Sequence, residues 1–136
     1  MNAKVLLVLP PHRRSELLRL LEGKDLQLFL ASDFKEARQK LKGSTAYDVV
    51  LADAELTDGS WRDILQFILD SRRSCEMIVC SRCGDEQLWA EVLQCGAYDM
   101  LVEPYERQEV HRIIQSAIDN QYMRRFTQYP MTAVAS

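Results

Sequence analysis

Along this chain, short apolar runs without polar alternation are separated by longer segments in which apolar residues return every three or four positions. The short runs are Lys4 to Leu9, Gln27 to Ala31, Asp48 to Asp53, Met77 to Ser81 and Asp99 to Val102. Val5-Leu6-Leu7-Val8 and Val49-Val50-Leu51 are apolar on both phases of a period-two repeat, as strands buried on both faces must be. Trp61, Ile64, Leu65, Ile68 and Leu69 form one helical stripe, and Val110, Ile113, Ile114, Ala117 and Ile118 form another. Strand and helix periods alternate five times, which predicts a parallel sheet with crossover helices. Right-handed crossovers then give a single α/β unit, a doubly wound (βα)5 sheet in strand order 2-1-3-4-5. Its sites are expected beyond the carboxyl ends of the strands.

Local punctuation supports these elements. Gly23, Gly43 and Gly96 stand where helices should end, positions expected to take a left-handed residue. Asp33 with Glu36, and Ser60 with Asp63, have the spacing of N-terminal caps. Periodicity fades after Tyr122, so residues 1–122 are read as the domain and 123–136 as a C-terminal tail or the start of a linker.

A chain of 136 residues, 47% hydrophobic and 27% charged, is long enough to bury such a sheet between two helical layers without disulfides. No apolar run approaches the roughly 18 residues of a membrane span, and the polar start Met1-Asn2-Ala3-Lys4 is not a signal peptide, so a cytoplasmic location is expected. The net charge of -3 comes with scattered Lys and Arg, which leaves no basic stripe for nucleic acid. Cys75, Cys80, Cys83 and Cys95 share one stretch, and Cys80 to Cys83 has the spacing of a zinc or redox half-site. A zinc site needs four convergent ligands, so these are read instead as free thiols.

The strand ends decide the function. They are Leu9-Pro10-Pro11-His12, Asp53-Ala54-Glu55, Ser81-Arg82-Cys83 and Glu103-Pro104-Tyr105. The blocks YDVVLADAELTDGSW, MIVCSRCGDE and CGAYDMLVEPYERQEV resemble the third, fourth and fifth strand regions of response-regulator receiver domains, which are CheY-like and flavodoxin-like in fold; the match spans residues 4 to 120. The resemblance implies a phosphoryl-accepting carboxylate at Asp53 and a phosphoryl-oxygen contact at Ser81. It also implies a Mg²⁺ held by Asp53, the backbone carbonyl of Glu55 and a pair of acids ending strand one.

Where that pair belongs, this chain has Leu9 and Pro10. Mg²⁺ prefers hard oxygen ligands, so its binding is expected to be weak or absent, and no other cofactor is implied. His12 is a poor Mg²⁺ ligand. The family's lysine before proline aligns with Glu103, and a second carboxylate about 7 Å from Asp53 costs about 2 kcal/mol at an effective dielectric of about 20. Met100 stands where the switch aromatic is expected. Arg82, where a small residue is common, either pairs with Asp53 or points into water.

Two functions follow from the resemblance, neither an enzyme. One is a degenerate receiver that signals by protein–protein interaction; the other is a working phosphorelay receiver phosphorylated on Asp53 by a histidine kinase. A small-molecule binder or enzyme of the same fold is disfavoured, because prolines after strand one remove the N–H donors of a phosphate cradle. The implied partners are a histidine kinase, an output domain or a second copy of the chain. The last strand and its flanking helices are the expected surface, with Trp89, Tyr98 and Tyr105 as candidate anchors.

Overall fold

Five parallel strands form the central sheet: β1 (Ala3–Val8), β2 (Leu26–Ala31), β3 (Val49–Asp53), β6 (Glu76–Ser81) and β7 (Asp99–Val102). Between β3 and β6 the chain adds a two-stranded antiparallel ribbon, β4 (Glu55–Leu56) and β5 (Gly59–Ser60). The helices are α1 (Pro11–Leu20), α2 (Phe34–Lys42), α3 (Trp61–Asp70), α4 (Glu86–Gln94) and α5 (Arg107–Ala135). The computed structural model describes the backbone of residues 2–135 and the side chains of residues 2–124. The expected tail, residues 123–136, therefore lies mostly outside the described side chains. The sheet order is β2-β1-β3-β6-β7, the expected doubly wound order once the ribbon is set aside. Two residues on either side of a turn are too short for any period to register, so the hydrophobic pattern does not reveal the ribbon.

Alternation along the strands divides the core into two layers. Val5, Leu7, Leu9, Val49, Leu51, Ile78, Cys80 and Leu101 face α1 and α5, where Leu17, Leu20, Val110, Ile113, Ile114 and Ile118 meet them. Leu6, Val8, Val50, Ala52, Met77, Val79 and Met100 face α2, α3 and α4, packing on Leu41, Trp61, Ile64, Leu65, Ile68 and Val92. The central strands β1, β3 and β6 bury both faces, which explains their unbroken apolar runs. Leu69 departs from its stripe and is exposed. It sits one position past Ile68, beyond the arc of α3 that meets the sheet.

The predicted caps form. Asp33 Oδ1 accepts from the Glu36 N–H at 2.9 Å, while Ser60 and Asp63 form a reciprocal capping box on α3. α2 receives a second anion from the ribbon turn: Asp58 accepts from the Phe34 and Lys35 N–H groups at 2.8 and 3.0 Å. Gly23 and Gly96 are left-handed, at φ 79° and 107°. Gly43 is not; at φ -70° it leaves α2 through extended backbone, a conformation open to any residue.

Candidate functional site

The register of the parallel sheet gathers the site. Val8 pairs with Ala52, Asp53 with Cys80, and Ser81 with Val102, so Leu9, Asp53, Ser81 and Glu103 all arrive at one edge. Asp53 and Ser81 border an open cleft of about 600 Å³ that is also lined by His12, Glu55, Thr57, Arg82 and Cys83. Asp53 shares the phase of Leu51, and its carboxylate therefore lies on the α1 and α5 side of the sheet, with only 5% of the residue exposed.

Its partner is Arg13. Pro10 caps α1 and Pro11 opens it, and the fixed φ of proline suits both places. Arg13 then falls in the first turn, on the same face as Leu17, Leu20 and Leu21, and is 7% exposed. Arg13 Nε donates to Asp53 Oδ2 at 2.9 Å and Nη2 donates to Oδ1 at 3.1 Å. Nη1 donates to Glu103 Oε1. One guanidinium thus holds both carboxylates, three of its N–H groups are used, and each Asp53 oxygen accepts one of them. The hydrogen bond to Asp53 raises the Arg13 pKa above its ordinary value despite burial, with further help from the charges of Asp53 and Glu103.

Cys80 and Tyr105, packed beside the pair, keep their protons. Burial, reinforced by the Asp53 charge, pushes the Cys80 thiol up to about 12. Among the described residues the buried Tyr105 hydroxyl has no hydrogen-bond partner within normal geometry, and burial likewise raises its pKa. Ser81 closes a local loop: its Oγ donates to the Cys83 carbonyl at 3.1 Å and accepts from the Cys83 N–H at 3.2 Å. Glu55 and His12 are exposed.

These residues fit a Mg²⁺ centre poorly. Leu9 is fully buried and apolar, Pro10 offers no side-chain oxygen, and the Asp53 carboxylate already faces a cation. Among the described residues, no group of three or more His, Cys, Asp and Glu is placed to hold a metal. Cys80 is buried and Cys83 exposed, so the half-site spacing between them does not put two thiols in one environment.

Of the two alternatives for Arg82, the structure shows the exposed one, and the guanidinium on Asp53 comes instead from Arg13, which the sequence reading does not single out. Glu103 does not simply oppose Asp53, because the two share that cation. The available clue was an arginine occupying an apolar helical stripe, Arg13-Leu17-Leu20-Leu21, one turn after the missing acids.

The sequence profile of the response regulator receiver domain matches residues 10–115. The chain belongs to the response regulator receiver domain family. Its place is therefore in two-component signalling, and the match takes in Asp53, Ser81 and Glu103 as well as Arg13. A curated relative, the response regulator protein PilR of Pseudomonas aeruginosa, is 28% identical over 104 residues, or 76% of this chain. The alignment spans 23% of PilR's length. Among solved structures, the signal receiver domain of an HD domain-containing protein from Pseudomonas fluorescens Pf-5 is 26% identical, with a TM-score of 0.80 over 90% of this chain and 99% of that one. A response regulator receiver domain from Clostridium thermocellum, 24% identical, shares the fold at a TM-score of 0.79 over 89% of this chain and 98% of that one. Among the described residues of this receiver domain, no helix is long and apolar enough to cross a membrane.

Proposed function

We propose that this receiver domain is degenerate: it signals from the cytoplasm by binding a protein partner, without efficient phosphorylation and without a metal cofactor. The observation that carries the reading is the bidentate hold of Arg13 on Asp53. A carboxylate attacks phosphorus with a free oxygen lone pair while cations neutralise the transferring group. Here both oxygens accept from one guanidinium, the family's lysine is Glu103, and its metal-holding acids are Leu9 and Pro10. Residues 1–122 carry this role, with 123–136 as tail or connector.

The partner is a histidine kinase, an output domain or a second copy, and it docks on β7 with the flanking α4 and α5. Trp89 supports this surface, being 48% exposed on α4 with its Nε1 3.4 Å from the Asp99 carboxylate of β7. Tyr98 is half-buried and offers an edge, whereas Tyr105 is buried in the α1 and α5 layer and is not available as an anchor.

The test is an amide NMR titration with Mg²⁺ and then beryllofluoride. Resonances of Asp53, Ser81 and Glu103 that stay unmoved support the degenerate reading. Saturable shifts at those strand ends at low-millimolar Mg²⁺ would instead restore phosphotransfer through Asp53 and Ser81.

A further inference from the structure

Two independent changes separate this site from a metal-binding one: oxygen ligands are missing at Leu9 and Pro10, and a guanidinium is present at Arg13. The first alone would leave Asp53 an unpaired buried anion, since 7% of its side chain is exposed. An ionised carboxylate in that position either draws in a cation or loses its charge. The Arg13 side chain, 5% exposed, supplies the cation covalently. Through Nε and Nη2 it closes on β3, through Nη1 on the residue following β7, and through its own backbone it belongs to the first turn of α1.

We propose that Arg13 is the resident cation of this site: an autoinhibitory contact that keeps divalent cations off Asp53 and holds α1, β3 and β7 in one arrangement. The proposal rests on the reading that this domain signals without phosphotransfer, and adds that Arg13 is what excludes the metal. Freeing Asp53 requires the guanidinium to give up the two bonds from Nε and Nη2, while Glu103 still holds Nη1 close by. Charge balance shows why only a cation could displace it: Asp53 and Glu103 together carry two negative charges against one positive. Cys80 and Tyr105, the titratable groups packed beneath, are held neutral by burial. Glu103 keeps a third of its side chain in solvent, which gives an incoming ion a way into the pair.

The experiment is a Mn²⁺ titration of the full chain followed by paramagnetic broadening of backbone amides. Arg13→Met keeps the apolar stem and removes the charge. Broadening centred on Asp53 is expected at Mn²⁺ concentrations at least about tenfold below those needed in the wild type, and addition of Glu103→Gln should reverse the gain. Arg82→Met removes an equal charge from the lining of the same cleft without touching Asp53. An equal gain in Arg82→Met, or none in a folded Arg13→Met, overturns the proposal, although the latter leaves the degenerate reading standing on Leu9 and Pro10. Localised Mn²⁺ binding by the wild type at low concentration overturns the degenerate reading itself. If Arg13→Met does not fold, the Arg13 Nε–H of the wild type decides: slow solvent exchange supports the lock, and exchange as fast as that of the exposed Arg82 overturns it.

Discussion

Arg13 Nε lies 2.9 Å from Asp53 Oδ2, across a sequence separation of 40 residues, in a pair almost closed to solvent. Removing one member of such a pair leaves the other buried and uncompensated. Arg13→Ala is expected to destabilise the fold by about 3 to 5 kcal/mol, and Asp53→Ala to cost less, because Glu103 still neutralises Arg13. Urea unfolding of both single variants and the double variant closes the cycle. A coupling near zero would mean that the two side chains are not joined in solution.

A small phosphodonor should leave Asp53 unmodified. With its oxygens engaged by Arg13 and no lysine at 103, incubation with acetyl phosphate and Mg²⁺ is expected to give an unchanged intact mass. A phosphorylated fraction that vanishes in Asp53→Ala would refute this.

The thiols should divide by burial. Cys83 and Cys95 are exposed and are expected to react with a maleimide in the native state near neutral pH, whereas Cys80 should react only after unfolding. The Cys80 pKa is raised from an ordinary 9.0 to about 12, so the folded state keeps its proton longer than the unfolded state does. That contribution to stability is complete below pH 9 and is lost as pH rises toward 12. Replacing Cys80 with Ala should flatten the alkaline limb of the stability profile.

The ribbon turn should hold α2 by charge. Desolvation is the largest single effect on the Asp58 carboxylate and raises its pKa, but the N–H donors of Phe34, Lys35 and Asp58 and the charge of Lys35 together outweigh it and hold the pKa below its ordinary value. This stabilisation is present above the ordinary carboxylate pKa and fades as pH falls through the lowered one. Asp58→Ala is expected to cost about 1 kcal/mol at neutral pH and nothing in acid, where amide exchange at Phe34 and Lys35 reports the lost cap.

The surface formed by α4, β7 and α5 should carry association. If a second copy docks there, Trp89→Ala is expected to weaken self-association by more than about tenfold in sedimentation analysis, since a hot-spot truncation costs about 2 kcal/mol. Unchanged association in that variant, or a protein monomeric at high concentration, would remove this face from the account of a homodimer.

The sequence by itself determined the sheet. Runs such as Val5-Leu6-Leu7-Val8 can be satisfied only by burial on both faces, and the Gly, Asp and Ser residues between them fix where helices start and stop through local backbone chemistry. It also determined that Asp53 ends a central strand and that the acids and lysine expected around it are replaced by Leu9, Pro10 and Glu103. Local order carries such facts, because each depends on residues within a turn or a strand. Which cation meets Asp53 is a different kind of fact. Arg82 follows Ser81 at the end of the neighbouring strand, yet its side chain runs into solvent; Arg13 is 40 residues distant, yet α1 packs its apolar face on the sheet and carries the guanidinium inward with Leu17 and Leu20. Only the crossing of that helix over β1 and β3 decided the pairing, since contact across the chain is set by how layers pack and not by sequence spacing.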